Sequence, residues 1–165
     1  MRSIIVIAHN LRSAHNVGSL LRTAEGLGIK RVYLTGYTPF PQQIDDIRLP
    51  HIAAKVNHNI AKTALGAEHS QSWEHRADID KLLIDLRSRG YVIAALEQWP
   101  TAQQLHNYRP PERLAVVLGR EVEGLEPDVI ESCDLQLMIP MSGHKESFNV
   151  VQAAAMAMYH CRFQP

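Results

Sequence analysis

Residues 3–35 read SIIVIAHNLRSAHNVGSLLRTAEGLGIKRVYLT. The stretch opens on an apolar, β-branched run from Ser3 to Ala8 and closes on a second, Arg31 to Thr35, the lengths and compositions of buried strands. Between them Val17, Leu20, Leu21, Ala24 and Leu27 recur at helical spacing and define one buried stripe, and Gly28 stands where a helix stops. Strand, helix and strand in so few residues make a βαβ unit, whose two strands must run parallel.

The same alternation continues outward. Tyr91 to Leu96, Leu114 to Leu118 and Leu135 to Ile139 read as further strands. Helical patterns cover roughly residues 51–64, Ala77 to Arg89 and about Asn149 to Cys161, with Gly66 and Gly90 as stops. Pro39, Pro41 and Pro50 mark one longer connection, and Pro100, Pro110 and Pro111 another. The order predicts an α/β fold, a mostly parallel sheet with helices on both faces and ligands beyond the strands' carboxyl ends. With 165 residues, 45% hydrophobic and 21% charged, a single domain over residues 1–165 is expected.

Composition narrows the function. Formal net charge is zero, so a nucleic-acid partner must be held by a local patch rather than a global field. The apolar run near the start is interrupted too early by His9, Asn10 and Arg12 for a signal peptide or membrane span, so no membrane partner is expected. Cys133 and Cys161 have neither zinc-site spacing nor disulfide density, which suits free thiols in the cytoplasm. The nine His include no i, i+4 pair with an acidic partner motif, and no metal is expected.

Three segments carry polar residues that packing does not require. Arg22 lies on the polar side of the first helix, where a solvated charge is the plain reading. Asn16, just before that helix, reads as its N-cap. The stretch LGREVEGLEPDVI, residues 118–130, reads as a glycine-containing loop that a ligand could approach closely, yet it is no P-loop. No G-x-G-x-x-G follows the first strand, which argues against a dinucleotide site and against a flavodoxin-like nucleotide binder. In IPMSGHKESFNVVQAAAMAMYH, residues 139–160, Ser147 or Asn149 can cap a helix built on Val150, Ala153, Ala154, Ala157 and Met158, and Asn149 with Gln152 resembles a capping box. A cap explains one of the two polar residues, and the other is a natural ligand group where strand gives way to helix.

Taken in order, HNVGSLLRTAEGLGI, VVLGREVEGL and IPMSGHKESFNVVQAAAMAMY resemble the three successive motifs of the SpoU (TrmH-type) RNA ribose methyltransferases of the SPOUT superfamily. The similarity runs from Ile4 to about Tyr159 and leaves no room for the extra N-terminal RNA-binding domain that some members carry. The resemblance implies methyl transfer from S-adenosylmethionine to a ribose 2′-hydroxyl of tRNA or rRNA, a homodimer, and a C-terminal segment tucked through a deep trefoil knot. By the same resemblance Arg22, Asn16, Glu121 and Asn149 are the catalytic candidates: Arg22 either takes the ribose proton or stays charged and anchors phosphate or alkoxide, Asn16 orients Arg22 or the ribose, and Glu121 holds Arg22 in its reactive rotamer. Leu96, Gly119, Ile139 and Ser147 are the candidates for cofactor contact. Arg12, Arg120 and Lys145, beside the motifs, are the candidate RNA patch, which dimerisation doubles. The chain departs from the pattern at Arg120, Val122, Phe148 and Val151, where members commonly carry Asn, Gly, Leu and Ser. Arg120 bears most on substrate choice, because it sets a long cation beside the cofactor loop. The small size resembles the minimal members that modify the tRNA wobble pyrimidine. The rival reading is a knotted RNA-binding or cofactor-binding domain that has lost turnover.

Overall fold

The computed structural model describes residues 2–164. Seven strands form one sheet: β1 Ser3–His9, β2 Arg31–Thr35, β3 Trp73–Arg76, β4 Val92–Leu96, β5 Gln103–Gln104, β6 Arg113–Leu118 and β7 Leu135–Met138. Their spatial order is β3-β2-β1-β6-β4-β7-β5, and every pair of neighbours is parallel. The helices are α1 Ala14–Gly26, α2 Pro50–Ala64, α3 Ala67–Ser70, α4 Ile79–Ser88, α5 Pro127–Ser132 and α6 Val150–Phe163. None is long and apolar enough to cross a membrane.

Alternation along the strands divides the core in two. From β1, Ile4, Val6 and Ala8 face one way with Leu20, Leu21 and Ala24 of α1, Ile60 of α2 and Ala154, Ala157 and Met158 of α6. Ile5 and Ile7 face the other way, against Leu82, Leu83 and Leu86 of α4 and Val129 and Ile130 of α5. Helices therefore cover both faces, as the apolar runs predict for strands buried on two sides.

The sequence reading needs correction at the edges and at one cap. β3, with the sequence WEHR, and β5, two glutamines, lie at the sheet margins and carry no apolar run. The stretch read as one loop after β6 ends in α5, whose first residue is Pro127. Asn16 is not the N-cap of α1. Ser13 is, its hydroxyl accepting from Asn16 N–H at 3.2 Å, so α1 begins two residues earlier than Asn16 and frees that side chain for other work. At the start of α6 Asn149 does cap, accepting from Val151 N–H at 2.9 Å.

α1 and α2 approach closely because residue 18 is glycine. A Cβ there would stand 2.2 Å from the Ile60 carbonyl oxygen. This contact packs α1 against α2.

Candidate functional site

Two loops leave adjacent carboxyl ends of the sheet, 119–126 after β6 and 139–149 after β7, with the end of β4 between them. They enclose a crevice of about 660 Å³, open solvent included. Leu96, Gly119, Ile139 and Ser147 all line it, together with Leu118 and Phe148. Residues about fifty positions apart in the chain thus converge on one wall.

Hydrogen bonds hold the crevice open in a defined shape. Glu97, directly after β4, accepts from Leu125 N–H at 2.9 Å and from Gln98 N–H at 2.9 Å. Gln98 in turn donates from Nε2 to the Ile139 carbonyl at 2.7 Å, so the end of β4 ties both loops. Gly119 permits the close fold of the first loop: a Cβ on it would lie 2.4 Å from Gly124 C and from Leu125 N. Arg120 and Gly124 close that loop with paired backbone bonds of 3.2 Å each way. Glu97 and Gln98 are site residues that sequence reasoning missed. Their signal was an acid and an amide immediately after a buried strand, where the crevice of a parallel sheet must open.

Glu121 joins this loop to the start of α1. Its carboxylate accepts from Arg12 N–H at 3.0 Å, from Ser13 N–H at 3.0 Å and from Asn16 Nδ2 at 3.0 Å. Helix α1 has no acidic residue in its own first turn, so Glu121 supplies the negative charge that the exposed N–H groups there favour. Burial opposes ionisation of this carboxyl, but the donors from Arg12, Ser13 and Asn16 outweigh it and hold its pKa below the usual glutamate value. Asn16 and Glu121 are thus brought together. Arg22 is not brought to them: it is exposed on α1, lines no part of the crevice, and has no hydrogen-bond or ion-pair partner among the described residues. The support expected for Arg22 from Glu121 is spent on the α1 terminus instead.

The cations around the crevice are largely matched by acids. Arg12 pairs with Glu123, and Arg120 lies 3.5 Å from Glu126 while donating from Nε to the Gly124 carbonyl at 3.3 Å. Glu126 also accepts from Asn10 Nδ2 at 3.2 Å and stands 3.6 Å from His9, a buried ring whose pKa burial draws downward. Lys145 is exposed in the loop before α6. The patch read from Arg12, Arg120 and Lys145 is therefore not a field of free positive charge in one chain.

The sequence pattern of the SpoU rRNA methylase family matches residues 3–159. The chain belongs to the SpoU family. A TrmH-family protein of Staphylococcus aureus (strain MSSA476) is 28% identical over 158 residues, covering 95% of this chain and 57% of that protein. The present chain therefore spans little more than half the length of the curated relatives it matches. Among solved structures, this SpoU domain is similar to the A. aeolicus TrmH/SpoU tRNA modifying enzyme, with TM-score 0.81 and 21% identity over 99% of this chain and 76% of that one. It is also similar to the SpoU methyltransferase AviRb of Streptomyces viridochromogenes in complex with the cofactor AdoMet, with TM-score 0.78 and 18% identity over 96% of this chain and 56% of that one.

Proposed function

We propose that this SpoU domain is an RNA methyltransferase that transfers a methyl group from S-adenosylmethionine to a ribose 2′-hydroxyl. The observation that carries the reading is the convergence of Leu96, Gly119, Ile139 and Ser147 on one crevice at the carboxyl ends of β4, β6 and β7. The residues fit an adenosyl group: Leu96, Leu118 and Ile139 offer an apolar wall, and the glycine backbone at Gly119 can be approached without a side chain in the way. AviRb, similar in fold, was solved with that cofactor. When bound, the sulfonium supplies an electrophilic methyl group.

This chain's own residues must then position a ribose and manage its proton. A ribose hydroxyl is a weak nucleophile and needs alignment and stabilisation of the developing alkoxide. Arg22 is assigned that role as a charged anchor for phosphate or alkoxide, because guanidinium groups keep their proton at neutral pH, and the 2′-hydroxyl proton leaves to a neighbouring phosphate or to water as the methyl–oxygen bond forms. Asn16, held by Glu121, orients the ribose, and Asn149 fixes the start of α6 where Ser147 meets the crevice.

Because Arg22 stands outside its own chain's crevice, the site is completed by a second copy, and the protein acts as a homodimer. Met156, Tyr159 and Phe163 are exposed on α6 and give that dimer an apolar face. A tRNA is the favoured substrate, with the wobble pyrimidine the first position to examine, and the cytoplasm holds both RNA and cofactor. The C-terminal knot goes with the same reading. Calorimetric titration of S-adenosylmethionine tests the crevice: wild type binds one cofactor per chain and Gly119→Ala loses at least tenfold in affinity. Equal binding by both places the cofactor elsewhere.

A further inference from the structure

The amino-terminal ends of β1, β2 and β6 form the end of the sheet remote from the crevice, and a second hollow opens there. It contains about 1190 Å³, open solvent included. Among the described residues, Arg2, Lys30, Arg113 and Arg162 line it with one acid, Glu112. In a chain with zero formal net charge this is a local concentration of positive charge, whereas the crevice rim pairs its arginines with Glu123 and Glu126.

Carbonyl oxygens hold the guanidinium groups of Arg2 and Arg113. Arg2 donates from Nε to the Pro110 carbonyl at 3.1 Å and from Nη1 to the Gln164 carbonyl. Arg162 donates from Nε to the Leu27 carbonyl at 3.2 Å and from Nη1 to the Arg2 carbonyl at 3.0 Å, and Arg113 donates to the Arg89 carbonyl at 2.6 Å. A carbonyl oxygen positions a guanidinium without cancelling its charge. Among the described residues Arg2, Lys30 and Arg113 have no carboxylate at ion-pair distance.

Tyr91 lies against Ser3, which lines this hollow. Its hydroxyl lies 2.6 Å from Ser3 Oγ. Burial opposes its ionisation, yet hydrogen bonds from Ser3 and Lys30 and the charges of Lys30 and Arg89 bring its pKa below the ordinary tyrosine value. Stitching the chain together accounts for the bonds of Arg2 to Pro110 and Gln164 and of Arg162 to Leu27 and Arg2. Arg113 makes one such bond, to Arg89, yet both it and Lys30 are exposed and line the same hollow.

We propose that Lys30, Arg113 and Arg2 form a phosphate-binding pocket for an RNA backbone, separate from the crevice. The inference rests on the RNA reading above and adds a second place where the substrate is gripped. Guanidinium forks match phosphate oxygens in pairs, and a wide, open hollow suits a polymer better than an enclosed small ligand. β6 runs from Arg113 in this hollow to Leu118 in the crevice, so roughly 17 Å of strand separates the two. It also explains how a neutral chain whose crevice rim is charge-matched can hold a polyanion.

The test is fluorescence anisotropy with a labelled tRNA transcript, run from low to physiological salt on the full chain. Lys30→Gln with Arg113→Gln removes two exposed cations that stitch nothing to α6, and Lys30→Arg with Arg113→Lys keeps the charge. The neutral double variant is expected to bind more weakly for every RNA sequence tried, with its log–log salt slope reduced by about one to two, and the charge-keeping variant to bind like wild type. Unchanged affinity and slope in the neutral variant overturn the inference. Saturable binding of inorganic phosphate to wild type with no loss of RNA affinity in the variant overturns the RNA assignment. Titration of S-adenosylmethionine in parallel separates the two readings: if cofactor binding fails while RNA binding still depends on Lys30 and Arg113, the methyltransferase reading falls and the pocket stands.

Discussion

Replacing Glu121 tests the join between the β6 loop and the first helix. Its carboxylate is the shared acceptor for Arg12 N–H, Ser13 N–H and Asn16 Nδ2. Each hydrogen bond to an ionised acceptor contributes roughly 1.5 to 3 kcal/mol when the donor is left unsatisfied. The site is only half-buried, so water replaces part of what is lost and the three bonds do not add. About 2 kcal/mol is the expected cost of Glu121→Ala, a fall of about 4 to 8 °C in Tm for a domain of this size. Glu121→Gln keeps the shape but loses the charge at the α1 terminus, and should cost roughly half as much. The pH dependence follows from the depressed carboxyl pKa. A group whose folded pKa lies below its unfolded value contributes fully above the unfolded value, about 4.3, and loses that contribution as pH falls through the folded one. Wild type should therefore exceed Glu121→Gln in stability at pH 7 and lose that advantage below about pH 4. Thermal melting followed by circular dichroism across this range is the assay. A Tm within 1 °C of wild type for Glu121→Ala at pH 7, or a gap that widens on acidification, would refute the assignment.

Three further outcomes follow from the geometry. Gly119→Ala forces a Cβ onto the Gly124 and Leu125 backbone and should destabilise by about 1 to 3 kcal/mol, read by chemical denaturation at an unchanged m-value. Asn149→Ala removes the α6 cap and should cost about 1 kcal/mol by the same measurement. Weaker binding of S-adenosylmethionine or RNA is expected with it, and unchanged binding returns Asn149 to the role of a plain cap. Cys133 and Cys161 are buried, which pushes each thiol up to about 12. Neither should react with a thiol reagent at pH 8 in the native protein, and both should react in denaturant.

The elements that sequence made legible are those whose burial dictates composition. Ser3–His9 and Arg113–Leu118 lie at the middle of the sheet and must be apolar on both faces, so their runs stand out. Trp73–Arg76 and Gln103–Gln104 lie at the margins, where solvent tolerates polar side chains and erases the signal. The crevice's place beyond the strands' carboxyl ends follows from the βα order, whereas its lining was legible only through the family resemblance, since no local rule brings Leu96, Gly119, Ile139 and Ser147 to one wall. The role of Glu121 was legible in kind but not in partner. Its bond to Asn16 joins residues 105 positions apart, and periodicity carries no information at that range. Asn16 was misread as a cap because Ser13, three residues earlier, satisfies the same helix with a shorter side chain. No pattern of local hydrophobicity reports charge balance across loops. The matching of Arg120 by Glu126, and the gathering of Lys30, Arg113 and Arg162 at the other end of the sheet, therefore emerge only in three dimensions.

The central claim is a methyl transfer from this chain's crevice to a ribose, with Arg22 stabilising the reacting oxygen. It is tested most directly by incubating the protein and Arg22→Ala with methyl-labelled S-adenosylmethionine and tRNA or rRNA from cells lacking the gene, followed by nuclease digestion and mass spectrometry of the nucleosides. Wild type should yield a labelled 2′-O-methyl nucleoside, and Arg22→Ala should lose about two to four decades of rate, roughly 3 to 5 kcal/mol, with cofactor affinity little changed. A label on a base rather than a ribose, a near-normal rate in the variant, or cofactor binding with no label in either RNA pool would contradict the account.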